Sequence, residues 1–369
     1  MKTRSLLFLL LLAPSLAFAQ GSLTPPSGPP APTMKTLDQI EPRSAISAAP
    51  FTISQSGSYY LTRNLKVASA ATAITINASN VTLDLNGFTI SSAVSPATGS
   101  GILIGADRHD IIIRNGSISG TVVFNSGAFS GGGFANGISQ GNHNTANIHV
   151  SAVSVSHVSG DGIDVDDFDG ASLIQSCQVD TAGGFGLAAS IVRDSSAVKC
   201  GGTAIFARNT VTNSFGASQT GLGIFGGTVL NCRGQSSAAA AGIYSDGSVE
   251  NSQGISQNGD GIHAGQTAIN CEGDGRGSGT GLFAGFTATN CVGHTGDGIG
   301  LDVGNTATGC YADNLSDTKP ALRSAGVLSF CTAQNGGTGP AASTCLAIGC
   351  ISFGGSITAT CSKQLGTTP

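Results

Sequence analysis

Tryptophan is absent from these 369 residues, methionine occurs twice, and only 10% of the chain is charged, against about 25% in an ordinary domain. The net charge of −5 comes without the clustered Lys and Arg on which phosphate binding rests, which disfavours nucleic acid as a partner. Long hydrophobic runs are missing as well. Nothing downstream of Leu6 to Ala13 is uncharged and close to the about 20 apolar residues that span a bilayer, so no membrane span is expected. No stretch repeats its apolar residues at helical spacing, which removes βαβ repeats. A structural zinc site is not expected either, since no Cys-x-x-Cys and no His pair at ligand spacing occurs.

What the chain has instead is a leader, a proline-rich stretch and a great many small residues. Lys2 and Arg4 precede the apolar run, and Ala17-Phe18-Ala19 offers the small-x-small pattern a signal peptidase cuts. Residues 1–19 are therefore expected to direct export to an extracellular, cell-surface or periplasmic location. Pro25, Pro26, Pro29, Pro30 and Pro32 make residues 20–34 an extended linker. Residues 35–67 are expected to form an N-terminal cap, helical or irregular from Leu37 to Ala49, and a first layer; 68–369 form the body. The 55 glycines, with abundant Ser, Thr, Ala and Asn, suit tight and repeated turns.

The body repeats. Thr228-Val-Leu-Asn-Cys232 aligns with Thr267-Ala-Ile-Asn-Cys271, Thr287-Ala-Thr-Asn-Cys291 and Thr306-Ala-Thr-Gly-Cys310, a period of about 19 residues. Cys177, Ser195, Ser214, Cys232, Ser252, Cys271, Cys291, Cys310, Cys331 and Cys350 form one column, and Asn213, Asn231, Asn251, Asn270 and Asn290 stand one position earlier. About nine residues before each Cys or Ser comes a small residue and then an aliphatic one, as in Gly242-Ile243 and Gly261-Ile262. Each coil thus offers three short strands, and the class expected is an all-β solenoid of about 13 coils, on the order of 60 Å long. Asn tolerates the left-handed backbone of a sharp bend, and its amide can donate to one coil and accept from the next. The asparagines are expected inside, beside an interior column of Val192, Val211, Val229, Val249 and Ala268.

Tyr59-Tyr60-Leu61, Ala73-Ile-Thr-Ile-Asn77, Val81-Thr-Leu-Asp-Leu-Asn-Gly-Phe-Thr-Ile90 and the recurring Gly-Asp-Gly-Ile of 160–163, 259–262 and 296–299 resemble secreted bacterial right-handed parallel β-helix repeat proteins of the pectin-lyase-like superfamily. The resemblance covers about Leu37 to Cys350. It implies a right-handed parallel β-helix and leaves activity open, because the superfamily holds lyases, hydrolases, epimerases and adhesins.

Ten cysteines in an exported chain suggest disulfides by default, but in-register neighbours on parallel coils point their Cβ vectors the same way, which a bridge does not allow. The column is therefore expected to be free thiols packed as small fillers. Cys345 and Cys361 lie off it and are the pair that can bridge the last coils.

Two surfaces stand out. If Ile205, Ile224, Ile243, Ile262 and Leu282 point inward, then Phe206, Phe225, Tyr244, His263 and Phe283 point outward on five consecutive coils. Such a strip suits a polysaccharide, a surface protein or a second copy of the chain. In the early coils, Asp107, Arg108, His109, Asp110, then Asn142, His143, Asn144, then Asp166, Asp167 and Asp169 occupy longer turns, and Asp164 and Asp166 share the outer face of their strand. Asp164, Asp166, Asp167 and His143, with Arg208 or Arg193 as the basic residue a lyase of this fold needs, are the catalytic candidates for glycosidic cleavage; Asp164, Asp166 and Asp169 are the candidates for Ca²⁺. Asp166-Asp167 matches the paired aspartates of polygalacturonases, but the Gly-His-Gly and Arg-Ile-Lys elements expected with them are missing. The functional expectation is lateral binding of a polysaccharide or protein, with a Ca²⁺-dependent lyase or glycoside hydrolase and an adhesive surface protein as alternatives.

Overall fold

The computed structural model describes residues 42–142, 144–167, 171–315, 318–337 and 339–363, with no account of the side chains of 361–363. The leader, the proline-rich stretch and residues 37–41 of the expected cap lie outside these residues, as do His143 and Asp169. From Ser44 the chain is already strand, not the helical or irregular cap expected up to Ala49. Among the described residues every regular element is a strand, and none is a helix long and apolar enough to cross a membrane.

Strands pair in parallel along three ladders that run the length of a β-helix. One coil shows the scheme: Ile262–Ala264 belongs to a first sheet, Thr267–Ile269 to a second and Glu272–Gly275 to a third. In the first sheet a single row of residues passes from Phe51 through Ile74, Ile102, Ile138, Ile163, Leu187 and Ile205 to Ile224, Ile243, Ile262, Leu282, Leu301, Leu322, Ala342 and Ile357. This gives about 15 turns rather than 13, spanning about 67 Å at about 4.8 Å per step. The undercount has a simple origin. Steps of 23 to 36 residues separate the early members of the row, and steps of 18 to 21 residues those from Leu187 to Ala342, so a 19-residue period does not register the first coils. The longest step holds an antiparallel hairpin, Val123–Asn125 with Ala128–Ser130.

Hydrogen bonds between coils run along the axis, so the cross-section is held by what fills it. The inward row of the third sheet reads Ile90, Ile118, Val155, Val179 and Ala197, then Gly216, Gly234, Gly254, Gly273 and Gly293, then Ala312 and Ala333. The second-sheet row shrinks in parallel, from Val192, Val211, Val229 and Val249 to Ala268 and Ala288. The helix therefore tapers towards coils in which the third sheet lies directly on the backbone leading into the first. A Cβ added at Gly254 would stand 2.1 Å from the Gly261 carbonyl oxygen, and one at Gly273 2.1 Å from that of Gly281.

The corner between second and third sheets is a single left-handed residue. Asn213, Asn231, Asn251, Asn270 and Asn290 all have φ of 49–53°, as expected of Asn at such a bend. They are exposed, not interior as expected. At this corner the next residue turns inward, and it is the Cys or Ser column that is buried. Asn231 donates to Asn213 at 3.2 Å, Asn270 to Asn251 at 3.0 Å and Asn290 to Asn270 at 3.4 Å, all side chain to side chain.

The buried column does more than fill space. The Ser252 hydroxyl donates to the Glu250 carbonyl at 2.7 Å and accepts the Cys232 N–H at 3.0 Å, and the Ser195 hydroxyl joins the Arg193 carbonyl and the Cys177 N–H in the same way. Thiols donate to the equivalent carbonyls, as Cys232 does to Leu230 at 3.0 Å. Ser and Cys alternate there because both are small and both donate. Eight cysteines are free and buried, while Cys345 is disulfide-bonded and the side chain of Cys361 lies outside the description.

Two outcomes follow. Gly254→Val should cost at least about 1–3 kcal/mol, the penalty of overpacking, and Ala312→Gly much less, as urea denaturation of both will show. Burial pushes the thiols of Cys177 and Cys232 up to about 11, and thiolates are what alkylating reagents attack. Mass spectrometry should find these thiols unmodified in the folded protein and alkylated after denaturation; a bridged column would contradict the packing described.

Candidate functional site

The outward row of the first sheet runs Asp164, Ala188, Phe206, Phe225, Tyr244, His263, Phe283, Asp302, Arg323 and Ser343. Its five rings form one column, as alternation along the strands requires. Their orientation differs from a platform for a bound chain. Successive centroids are 5.0, 5.7, 4.7 and 4.5 Å apart with interplanar angles of 9, 10, 5 and 25°. The rings stack on one another and turn edges, not faces, to solvent. A sugar packs on a ring face, so the middle of the stack offers little to a chain laid along it, and only the two end rings have a non-aromatic row neighbour on one face, Ala188 and Asp302.

At the N-terminal end that face is covered. Phe185 tilts against Phe206 at 5.8 Å, and the Arg208 guanidinium stands 5.7 Å from the Phe206 centroid. Arg208 is itself held by Asp166, with Nε 2.8 Å from Oδ1 and a second nitrogen 2.5 Å from Oδ2. This bidentate fork spans 42 residues of sequence and brings together two of the catalytic candidates, but as partners that occupy one another. Asp164 accepts the Asp166 N–H at 3.1 Å. Asp167 is fully buried, its Oδ1 taking the hydroxyls of Ser172 at 3.0 Å and Ser190 at 2.5 Å. It faces the interior and joins no surface with Asp164.

The other early turns are tied down in pairs. Asn142 and Asp107 exchange hydrogen bonds at 3.1 and 3.2 Å. Asn147 donates to Asp110 at 2.5 Å, and that bond first, then His109, holds the Asp110 carboxyl below its ordinary range. Asp107 and Asp110 both have left-handed φ, the geometry of turn residues. Among the described residues no group of three or more His, Cys, Asp or Glu side chains converges as a cation site. Both Asp166 oxygens are engaged by Arg208 and Asp167 is turned inward, and Asp169, the third Ca²⁺ candidate beside Asp164 and Asp166, lies outside the described residues.

A long concavity lies elsewhere, along the corner between second and third sheets. A groove of about 1240 Å³ runs from Ser176 to Val292 over seven coils, about 29 Å at the inter-coil spacing. Its floor is the Cys and Ser column. One wall is Asp194 and the asparagines; the other is the first outward residue of each third-sheet strand: Gln178, Ser196, Phe215, Arg233, Gln253, Glu272 and Val292. The concavity arises because the single-residue corner sends the Cys or Ser side chain inside and leaves only small atoms at the bottom. Arg233 lies 5.8 Å from the Phe215 ring centroid, and Gln253 donates to Glu272 at 3.1 Å. None of the second wall stands out in the sequence. Its members are the residues that follow the Cys and Ser column, so alternation outward from that column is the signal that finds them.

These features define a parallel β-helix with a polar lateral groove and an internally stacked ring column. Neither a protein-family model nor a curated protein sequence matches the chain. Among solved structures it is similar to the A-module of mannuronan C-5 epimerase AlgE6 of Azotobacter vinelandii, at 14% identity and a TM-score of 0.41, covering 85% of this chain and 91% of that one. The A-module of mannuronan C-5 epimerase AlgE4 of the same organism is similar at 10% identity and a TM-score of 0.23, with the same coverage. At that level of likeness nothing about activity passes from those modules to this chain.

Arg208→Ala should lower stability by about 1–3 kcal/mol, because it leaves a buried carboxylate without its charged donors. Arg208→Lys should recover only part of this, since an ammonium cannot fork. Thermal melts of the three proteins measure it, and equal melting temperatures would show that the pair is structurally idle.

Proposed function

We propose that this chain is exported and binds an extended, uncharged polysaccharide in the groove between Ser176 and Val292, without chemical turnover. The observation that carries the reading is the groove's lining: a repeating set of amides and hydroxyls, with Asn213, Asn231, Asn251 and Asn270 on one side and Gln178, Ser196 and Gln253 on the other. Amides both donate and accept, which suits the hydroxyls of a sugar, and the repeat of about 4.8 Å between coils is close to the length of one pyranose unit. Phe215 is half-buried and adds the one ring surface in this lining.

Charge favours a neutral chain over a uronate. Arg233 is the one cation of the lining, against Asp194 and Glu272, whereas a polyanion is held by matched cations along its length. The Asp166–Arg208 fork and the burial of Asp167 support binding without cleavage, since a general acid or base must reach the proton it moves.

Affinity electrophoresis through gels containing glucan, mannan, xylan or galactan, and through polygalacturonate and alginate, tests this. At least one neutral polymer should retard the protein and the uronates should not. Phe215→Ala and Arg233→Ala should each weaken retardation about five- to tenfold, the size of one lost ring or charged contact. No new reducing or unsaturated ends should appear with or without chelator. Retardation by the uronates alone, or variants indistinguishable from the parent, would sink the proposal.

A further inference from the structure

The ring column has two ends, and they are finished differently. At Phe206 the outer face meets Phe185 and the guanidinium of Arg208. At Phe283 one face meets His263 at 4.5 Å, and the neighbour on the other side of the row is Asp302, with no ring or guanidinium on that face among the described residues. Phe283 instead lines a cavity of about 460 Å³ over the last coils, together with Asp302, Arg323, Ser343, Thr344 and Thr360. This volume falls in the range of small-molecule sites, roughly 300–1,000 Å³.

The cavity is built by register. Phe283, Asp302, Arg323 and Ser343 are consecutive members of the outward first-sheet row, so in-line stacking sets a ring, an acid, a base and a hydroxyl side by side. Arg323 forks onto Asp302, with Nε 2.8 Å from Oδ1 and its terminal nitrogen on Oδ2. Asp302 is nearly buried while about half of the Arg323 side chain faces solvent. Orienting the guanidinium in this way leaves its remaining N–H groups available at the cavity mouth.

We infer that this cavity is a second carbohydrate site, which takes one pyranose ring, packed against the part of the Phe283 ring that lines it and hydrogen-bonded by Arg323 and the Ser343 and Thr360 hydroxyls. A ring, hydroxyls and a forked Arg–Asp pair around one cavity are the combination that holds a sugar's apolar side and its polar rim at once. The site is separate from the groove, which lies at a different corner of the coils. It does not depend on the groove binding anything.

The test uses the full chain and the methyl glycosides of glucose, galactose, mannose and N-acetylglucosamine, with saturation-transfer NMR and titration calorimetry. At least one should bind saturably in the millimolar range. Phe283→Leu should weaken it up to about tenfold, and Ser343→Trp, which fills the cavity, should abolish it. Phe215→Ala in the groove should leave it unchanged, so failure here and failure of the groove proposal are told apart. Circular dichroism confirms that each variant is folded, and Ser343→Trp, on the cavity rim, serves if Phe283→Leu is not. The inference is overturned if none of the four glycosides binds the parent protein, or if binding survives Ser343→Trp.

Discussion

Register between coils is the constraint from which everything else here follows. Each strand hydrogen-bonds to its counterpart about 4.8 Å above and below, so a residue type placed once per coil becomes a continuous row. Those bonds act along the axis alone. Across the helix there is only side-chain volume, and the width of each coil is set by the residues that point inward. Ile and Val keep the early coils open, and glycine brings the third sheet down onto backbone carbonyls in the later ones. Burial of large aliphatic side chains, worth about 1.5–3 kcal/mol each, is therefore concentrated towards the N-terminal half.

The later coils compensate with polar economy rather than bulk. At several of the turns a small buried donor meets a carbonyl that the ladders leave over. Ser218 reaches Gly202 at 2.6 Å, Ser256 reaches Ala240 at 2.7 Å, Thr295 reaches Gly279 at 2.7 Å and Asn314 reaches Gly298 at 2.7 Å, all in one row. A second such row at the first corner includes Ser245, Ser324 and Thr344. Buried polar groups without partners are costly, and a thin coil has no room for water to meet the need.

Much of this is legible from periodicity alone. The columns of Cys and Ser, of interior Val and of outward rings are spaced by the repeat, and alternation along a strand decides which way each points. What periodicity does not carry is anything set by a side-chain torsion or by an irregular coil. Spacing puts the rings of Phe206 to Phe283 in the right row, but whether they lie flat on the sheet or stand on edge depends on χ angles and on the pull of neighbouring π-faces. It gives the asparagines the right backbone and the wrong side, because a left-handed corner reverses the simple in-out alternation. Asp166 and Arg208 meet across coils of unequal length, so no spacing relates them. The groove escapes a reading by period because it is a property of a corner, visible only once the Asn row and the residues after the Cys column are seen to diverge.

The coils between Gly216 and Gly293 present nearly the same outline above and below, since glycine occupies one corner of the interior and Val or Ala another. A segment with interchangeable faces can be copied or excised as a unit without disturbing what flanks it. Recombination within the gene could therefore lengthen or shorten this stretch one turn at a time, while the wide early coils, each with its own filling, offer no equivalent joint. The reach of the molecule would then be an inherited variable, adjustable in steps of a single coil.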